Sequence, residues 1–229
     1  MSADLDFDLA AALDVVLADA RTSGFRAKAR GDAIEMIVRD ELIRPAAAFQ
    51  IVKTEAMLGD RYDLGGISLR APALGGEPGK VFAVAACACT LGPQLEAKVS
   101  ELFRARRALL AVTLDQLGNE LLFGIAARLQ EQVHLEAQRR ALEPGFERYP
   151  GDPGIDLAEQ AAVLMLAGAH NAGISVSAGG SLRPAKSLSC VVVLGRGLRS
   201  RVRSERCDPC PSKNRCRKAR DRATPFPLE

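Results

Sequence analysis

From about Ala105 to Leu142, apolar residues keep helical spacing for longer than anywhere else in the chain. Leu110, Leu114, Leu117, Leu121, Ile125, Leu129 and Val133 follow one another every three or four positions. Such a stripe marks one face of a helix, and that face has to be covered by another layer of structure. The segment is therefore the main buried helix, ended by Pro144-Gly145. A second constraint is Val81 to Ala88, an unbroken apolar run of strand length that reads as a central strand covered on both faces. After it, Thr90-Leu91-Gly92-Pro93 puts proline where the first turn of a helix tolerates it. Leu95, Val99, Leu102 and Phe103 then mark one face of that helix.

The remaining segments fit around these two. Leu9, Leu13, Val16, Leu17 and Ala20, then Ala33, Met36, Ile37 and Leu42, predict a helical lead-in over residues 1–44, stopped by Pro45. Ala46 to Leu58 and Ile67 to Leu69 read as strands around the turn-forming Asp63-Leu64-Gly65-Gly66. Tyr149 to Gly154 reads as a rigid loop and Ile155 to Ala169 as a helix. Strands at Ile174 to Ala178 and Ser187 to Leu194 flank the Gly179-Gly180 turn. Long helices and antiparallel strands without regular β-α alternation predict an α+β fold, with an antiparallel or mixed sheet packed on long helices over residues 45–195. There is no internal repeat. With 48% hydrophobic, 26% charged and 4% aromatic residues in 229, disorder, collagen and a coiled coil are excluded for the chain as a whole. The run Val81 to Ala88 is less than half of the ~18 to 20 apolar residues of a membrane span, and no basic stretch followed by an apolar run opens the sequence. The expectation is a cytoplasmic protein with no membrane partner.

Charge is unevenly placed. Between Arg196 and Arg222, eleven Lys or Arg face only Glu205, Asp208 and Asp221, a net of +8. The whole chain carries +3, so everything else sums to −5. The basic segment 196–229 also holds Cys207, Cys210 and Cys216 in the array Cys-x2-Cys-x5-Cys, with Pro209 and Pro211 stiffening the turn between the thiols. Two cysteines two residues apart present both sulfurs to one metal centre. A zinc ion requires a fourth ligand, whereas a four-iron (4Fe-4S) cluster can be held by three thiolates, and basic surroundings suit its negative charge. Iron–sulfur, zinc and free thiols all remain open readings. Cys190 is a candidate fourth ligand, although a strand cysteine is usually a small hydrophobe; Cys87 and Cys89 read as packing beside small alanines. His134 and His170 form no recognisable catalytic pair, and no catalytic residue is assigned. Nucleic acid is an unlikely partner, because the basic segment offers Phe226 as its only aromatic and no helical register for a groove.

Val84 to Gly92, the helix after it, and Asp115-Gln-Leu-Gly118-Asn119-Glu120 occur in an order that resembles the activation domain of cobalamin-dependent methionine synthase. Pro144-Gly145-Phe146, Tyr149-Pro150, Glu159-Gln160 and Pro184-Ala-Lys186-Ser187-Leu188-Ser189 extend the resemblance over about residues 45–195, most closely to short stand-alone relatives with a cysteine-rich end. In that family the domain binds S-adenosylmethionine and presents it to an oxidised corrinoid. The resemblance implies cofactor contacts at Arg140, Gly145, Phe146, Tyr149 and Lys186, and a corrinoid protein or corrinoid methyltransferase as partner. The family's loop reads Arg-x-x-x-Gly-Tyr-Pro-x-Cys-Pro-Asp. Here an extra residue follows Arg140, Phe146 replaces Tyr, and Cys-Pro-Asp is missing, so tight adenosylmethionine binding is not expected. The function implied is an accessory or reactivation protein for a corrinoid-dependent methyltransferase, with an electron delivered through an iron–sulfur centre in the basic segment. The alternative is a non-enzymatic domain that docks a partner and carries a structural zinc.

Overall fold

The computed structural model describes residues 2–3, 8, 11–13, 25–75 and 79–198. Its centre is an antiparallel five-stranded sheet in the order β1-β2-β6-β10-β7. The strands are β1 (Ser2–Ala3), β2 (Ala46–Lys53), β6 (Lys80–Thr90), β7 (Glu143–Arg148) and β10 (Ser187–Arg196). A smaller meander holds β3 (Ala56–Leu58), β4 (Arg61–Leu64) and β5 (Ile67–Arg70), and a two-stranded ladder pairs β8 (Ser175–Val176) with β9 (Leu182–Arg183). The longer helices are α1 (Phe25–Arg39), α2 (Gln94–Arg104), α3 (Ala108–Arg139) and α4 (Gln160–Ala167).

Strand alternation builds two cores. On β6, Ala83, Ala85, Cys87 and Cys89 face α1, α2 and α3, joined from β10 by Cys190, Val192 and Leu194. Val84, Ala86 and Ala88, with Val191 and Val193, face α4 and the meander, where Tyr62, Leu64 and Leu69 are sealed from water. The central strand is thus covered on both faces, as its continuous apolar run predicts. Every residue of the predicted α3 stripe, Leu110 through Val133, is buried. With 32 residues α3 spans about 48 Å, and its length and composition would also suit a membrane crossing. Here the stripe packs on the sheet and on α1 and α2, which accounts for its apolar character. Arg30 on α1 is pinned to Glu120 on α3 at 2.8 Å.

Several expectations need correction. Ala46 to Leu58 is two strands: β2 leaves the large sheet at Lys53, and β3 belongs to the meander. α3 stops at Arg139, ahead of Pro144-Gly145, and that pair lies within β7, which the sequence does not signal. The strand tolerates proline because it is at the sheet edge, and it tolerates only glycine at 145, where a Cβ would lie 2.7 Å from Val193 Cγ2. The predicted strand from Ile174 shrinks to two residues outside the large sheet, and the helix predicted from Ile155 starts as a single 3-10 turn at Leu157 before α4. The lead-in is helical at Ala11–Leu13 and α1, but Ser2 and Ala3 extend the large sheet against β2.

Candidate functional site

A polar corner forms where β6 ends and β10 begins. Ser187 pairs with Thr90 across the two strands. The Leu91 amide donates to the Lys186 carbonyl at 2.9 Å, and buried Thr90 Oγ1 donates to the same oxygen at 3.2 Å. Thr90 Oγ1 also accepts from Ser187 Oγ at 2.8 Å and from the Gly92 amide at 3.1 Å. Gly92 turns the chain here with φ of 83°, a left-handed conformation favouring glycine. Lys186, the residue before β10, reaches the second turn of α3. Its Nζ lies 2.7 Å from Asp115 Oδ1 and donates to Asn119 Oδ1 at 2.7 Å. Gly118 lies between these residues and makes room: a Cβ there would meet Lys186 Cε at 3.4 Å and Leu95 Cδ2 at 3.0 Å. Glu96 accepts from the Ala185 amide, so both neighbours of Lys186 are held. A buried ammonium requires such partners, and two of its three N–H groups are accounted for.

The residues on and beside β7 lie elsewhere. Phe146 carries the Arg148 guanidinium 4.9 Å from its ring centre. Tyr149 packs on the α3-side core, donates its hydroxyl hydrogen to Glu147 Oε2 at 3.0 Å and accepts from buried Gln130 at 3.3 Å.

Arg140 follows the last residue of α3 and lines a cavity of about 580 Å³ with Ile51, Lys53, Thr54, Phe82, Ala83, Leu142 and Arg196. A β-bulge shapes its floor: Leu194 pairs with Ala83 and Gly195 with Val81, so Phe82 is skipped. Such an extra residue re-aims a side chain. Gly195 is required opposite, because a Cβ would run into the Lys80 carbonyl oxygen. The Phe82 ring has Lys80 Nζ 5.3 Å and the Arg196 guanidinium 6.0 Å from its centre. Arg140 pairs with Glu136 at 2.9 Å, and this bond holds the Glu136 carboxyl below its usual range. Thr54 donates its amide to the Phe82 carbonyl at 3.0 Å, while its hydroxyl is sealed from water with no hydrogen-bond partner among the described residues.

Of the residues that the resemblance marks, Lys186 and Arg140 thus sit at opposite ends of α3. Asp115 and Arg140 are separated by about 37 Å of helix. Gly145, Phe146 and Tyr149 sit on the edge strand or just past its end. The Asp115–Asn119–Lys186 cluster joins motifs that the sequence presents apart, and only the pairing of β10 with β6 brings them together. Lys53, Thr54, Phe82 and Arg196 carry no motif at all; the end of β2 at a polar pair is their sole local signal.

The thiols of the sheet are packing groups. Cys87 stands directly opposite Cys190, and a hydrogen bond between them, together with burial, pushes the Cys87 thiol well up. Burial raises the Cys89 thiol as well. A metal ligand has to be a thiolate, so Cys87 and Cys89 are poor ligands, and Cys190 is buried in the strand directly opposite Cys87. Among the described residues no group of three or more His, Cys, Asp and Glu could hold a metal ion. Cys207, Cys210 and Cys216 lie outside the described residues.

No family model matches the chain, and no curated protein matches it. Among solved structures it is similar to the MetH reactivation domain bound to AdoHcy, with a TM-score of 0.60. Sequence identity is 15%, and the match covers 86% of this chain and 70% of that one. The α+β architecture, a mixed arrangement of long helices on an antiparallel sheet, is thus that of a MetH reactivation domain.

Proposed function

We propose that the chain is an accessory protein that reactivates a corrinoid-dependent methyltransferase. The observation that carries this reading is the likeness to the MetH reactivation domain over 86% of the chain, which the motif resemblance over about residues 45–195 supports independently. The folded body is the docking unit for a corrinoid protein, and a cytoplasmic setting follows from that partnership. The body, residues 1–195, sums to −4, which leaves attraction to an acidic partner to the basic stretch Arg196 to Arg222 with its +8.

Cys207, Cys210 and Cys216 would hold the redox centre. Three thiolates suffice for a four-iron cluster, whereas zinc would require a fourth ligand, and Cys190 is committed to the core. Bound there, an iron–sulfur cluster supplies one low-potential electron, the currency needed to take cobalt(II) in the corrinoid to cobalt(I). The surrounding Lys and Arg side chains stabilise the negative cluster and steer the partner. The test is anaerobic mixing of the iron-loaded, reduced protein with a corrinoid protein held in its cobalt(II) state. Faster formation of the cobalt(I) spectrum, weakened by added salt, is expected. No acceleration by iron-loaded protein against a corrinoid protein that a chemical reductant can still reactivate would overturn the reading.

A further inference from the structure

We propose that the cavity between the end of α3 and the ends of β2, β6 and β10 binds a small anion with an apolar body. Lys53, Arg140 and Arg196 hold its carboxylate or phosphate, and Ile51, Phe82 and Leu142 receive its body. This inference does not rest on the corrinoid reading.

The volume of about 580 Å³ is in the range of small-molecule sites. The lining divides into two kinds of surface. Ile51, Phe82, Ala83 and Leu142 make an apolar floor, with Phe82 brought there by the bulge and left 37% exposed. An exposed aromatic at a bulge, backed by a glycine that nothing larger can replace, is a built feature of the strand ends. Around it stand three cations from three different elements, and Lys80 adds a fourth beside the Phe82 ring. The acidic groups nearby are engaged: Glu136 binds Arg139 and Arg140, and Glu143 accepts from the Gly197 and Leu198 amides. Arg140 has five N–H donors, and its bond to Glu136 uses only part of that fork. The Thr54 hydroxyl, which has no hydrogen-bond partner among the described residues, adds a further hydrogen-bonding group to the lining.

The same electrostatics disfavour adenosylmethionine, whose sulfonium would enter among like charges. Carboxylate and phosphate heads share the chemistry that the site recognises, and both are tested. The experiment is titration calorimetry of the full chain with phenyl phosphate, phenylacetate, inorganic phosphate and adenosylmethionine, repeated with Lys53→Gln, Arg140→Gln and Phe82→Ala. One-to-one binding of phenyl phosphate or phenylacetate is expected, at least tenfold tighter than inorganic phosphate. Lys53→Gln and Arg140→Gln should each weaken it at least fivefold, and Phe82→Ala should weaken the aromatic probes while leaving inorganic phosphate unchanged. Binding that ignores Lys53→Gln and Arg140→Gln would place the anion on the basic C-terminal segment and overturn the proposal. So would tighter binding of adenosylmethionine than of either aromatic anion, or no binding of either aromatic anion by protein whose melting temperature is normal.

Discussion

Lys186 Nζ and Asp115 Oδ1 lie 2.7 Å apart, the first on the residue that enters β10 and the second on the second turn of α3. The contact fastens the start of a central strand to the longest helix. It is asymmetric, because Lys186 is buried while Asp115 is 44% exposed. Removing the lysine head group leaves Asn119 and Asp115 without their donor but still near water. Removing the carboxylate leaves a buried ammonium with one fewer acceptor.

Lys186→Met should therefore destabilise the protein by about 1 to 2 kcal/mol, since a methionine fills the same space and the abandoned acceptors can rehydrate. Asp115→Ala should cost more, about 2 to 3 kcal/mol, because the buried charge loses a partner. The double variant should recover part of that loss. Urea denaturation of all three measures the coupling, and purely additive values would show that the pair is energetically silent.

The buried thiols make stability fall in alkali. Cys87 and Cys89 keep their protons in the folded protein at a pH where exposed thiols, with ordinary values near 9, give theirs up. Their contribution is full below about pH 9 and is lost as pH rises through the raised folded values, by about 1.4 kcal/mol per pH unit for each thiol. Tyr62, also raised by burial, acts in the same direction above pH 10. Denaturant midpoints measured from pH 8 to 10.5 should decline, and Cys87→Ala should flatten the slope. In the same material, Cys87, Cys89 and Cys190 should resist alkylation at pH 8.5 until denaturant is added, as read by peptide mass spectrometry.

A great deal of the architecture can be read directly from the chain, because it rests on local periodicity. The α3 stripe and the doubly covered β6 are visible in residues that bury themselves whatever their neighbours do. β7 is invisible because Pro144 and Gly145 are breakers anywhere except at a sheet edge, and edge position is decided by the other strands. The site divides in the same way. Lys186 belongs to a motif, and so does Asp115, but their meeting depends on which strand β10 pairs with. The Phe82 bulge depends on a one-residue mismatch with β10, which has no signature in either strand alone.

The limit of the folded body can be tested by truncation. Leu198 is buried against the α4-side core, and the Gly197 and Leu198 amides both donate to Glu143. A chain ending after Gly195 should be less stable than one ending after Leu198 by about 2 to 4 kcal/mol. Equal melting temperatures for the two would show that these contacts contribute nothing.

Replacing any one of Cys207, Cys210 and Cys216 by Ser should remove most of the metal from anaerobically purified protein, because the three belong to one turn-linked array. Iron with acid-labile sulfide and a broad visible absorption identify a cluster; a colourless protein with stoichiometric zinc identifies the structural alternative. Unchanged metal content in all three variants would exclude the array as the ligand set.

Because Leu198 is fixed in the core, it sets the radius within which the cysteine array can work. Nine peptide units separate it from Cys207, and a fully stretched chain covers at most about 3.6 Å per residue, so the first thiol stays within about 32 Å of that anchor. A centre held there can serve only targets presented within about that distance of Leu198. A corrinoid protein that exchanged electrons with it would have to dock with its cobalt inside that sphere, so the anchor restricts the docking geometry before any surface complementarity is considered.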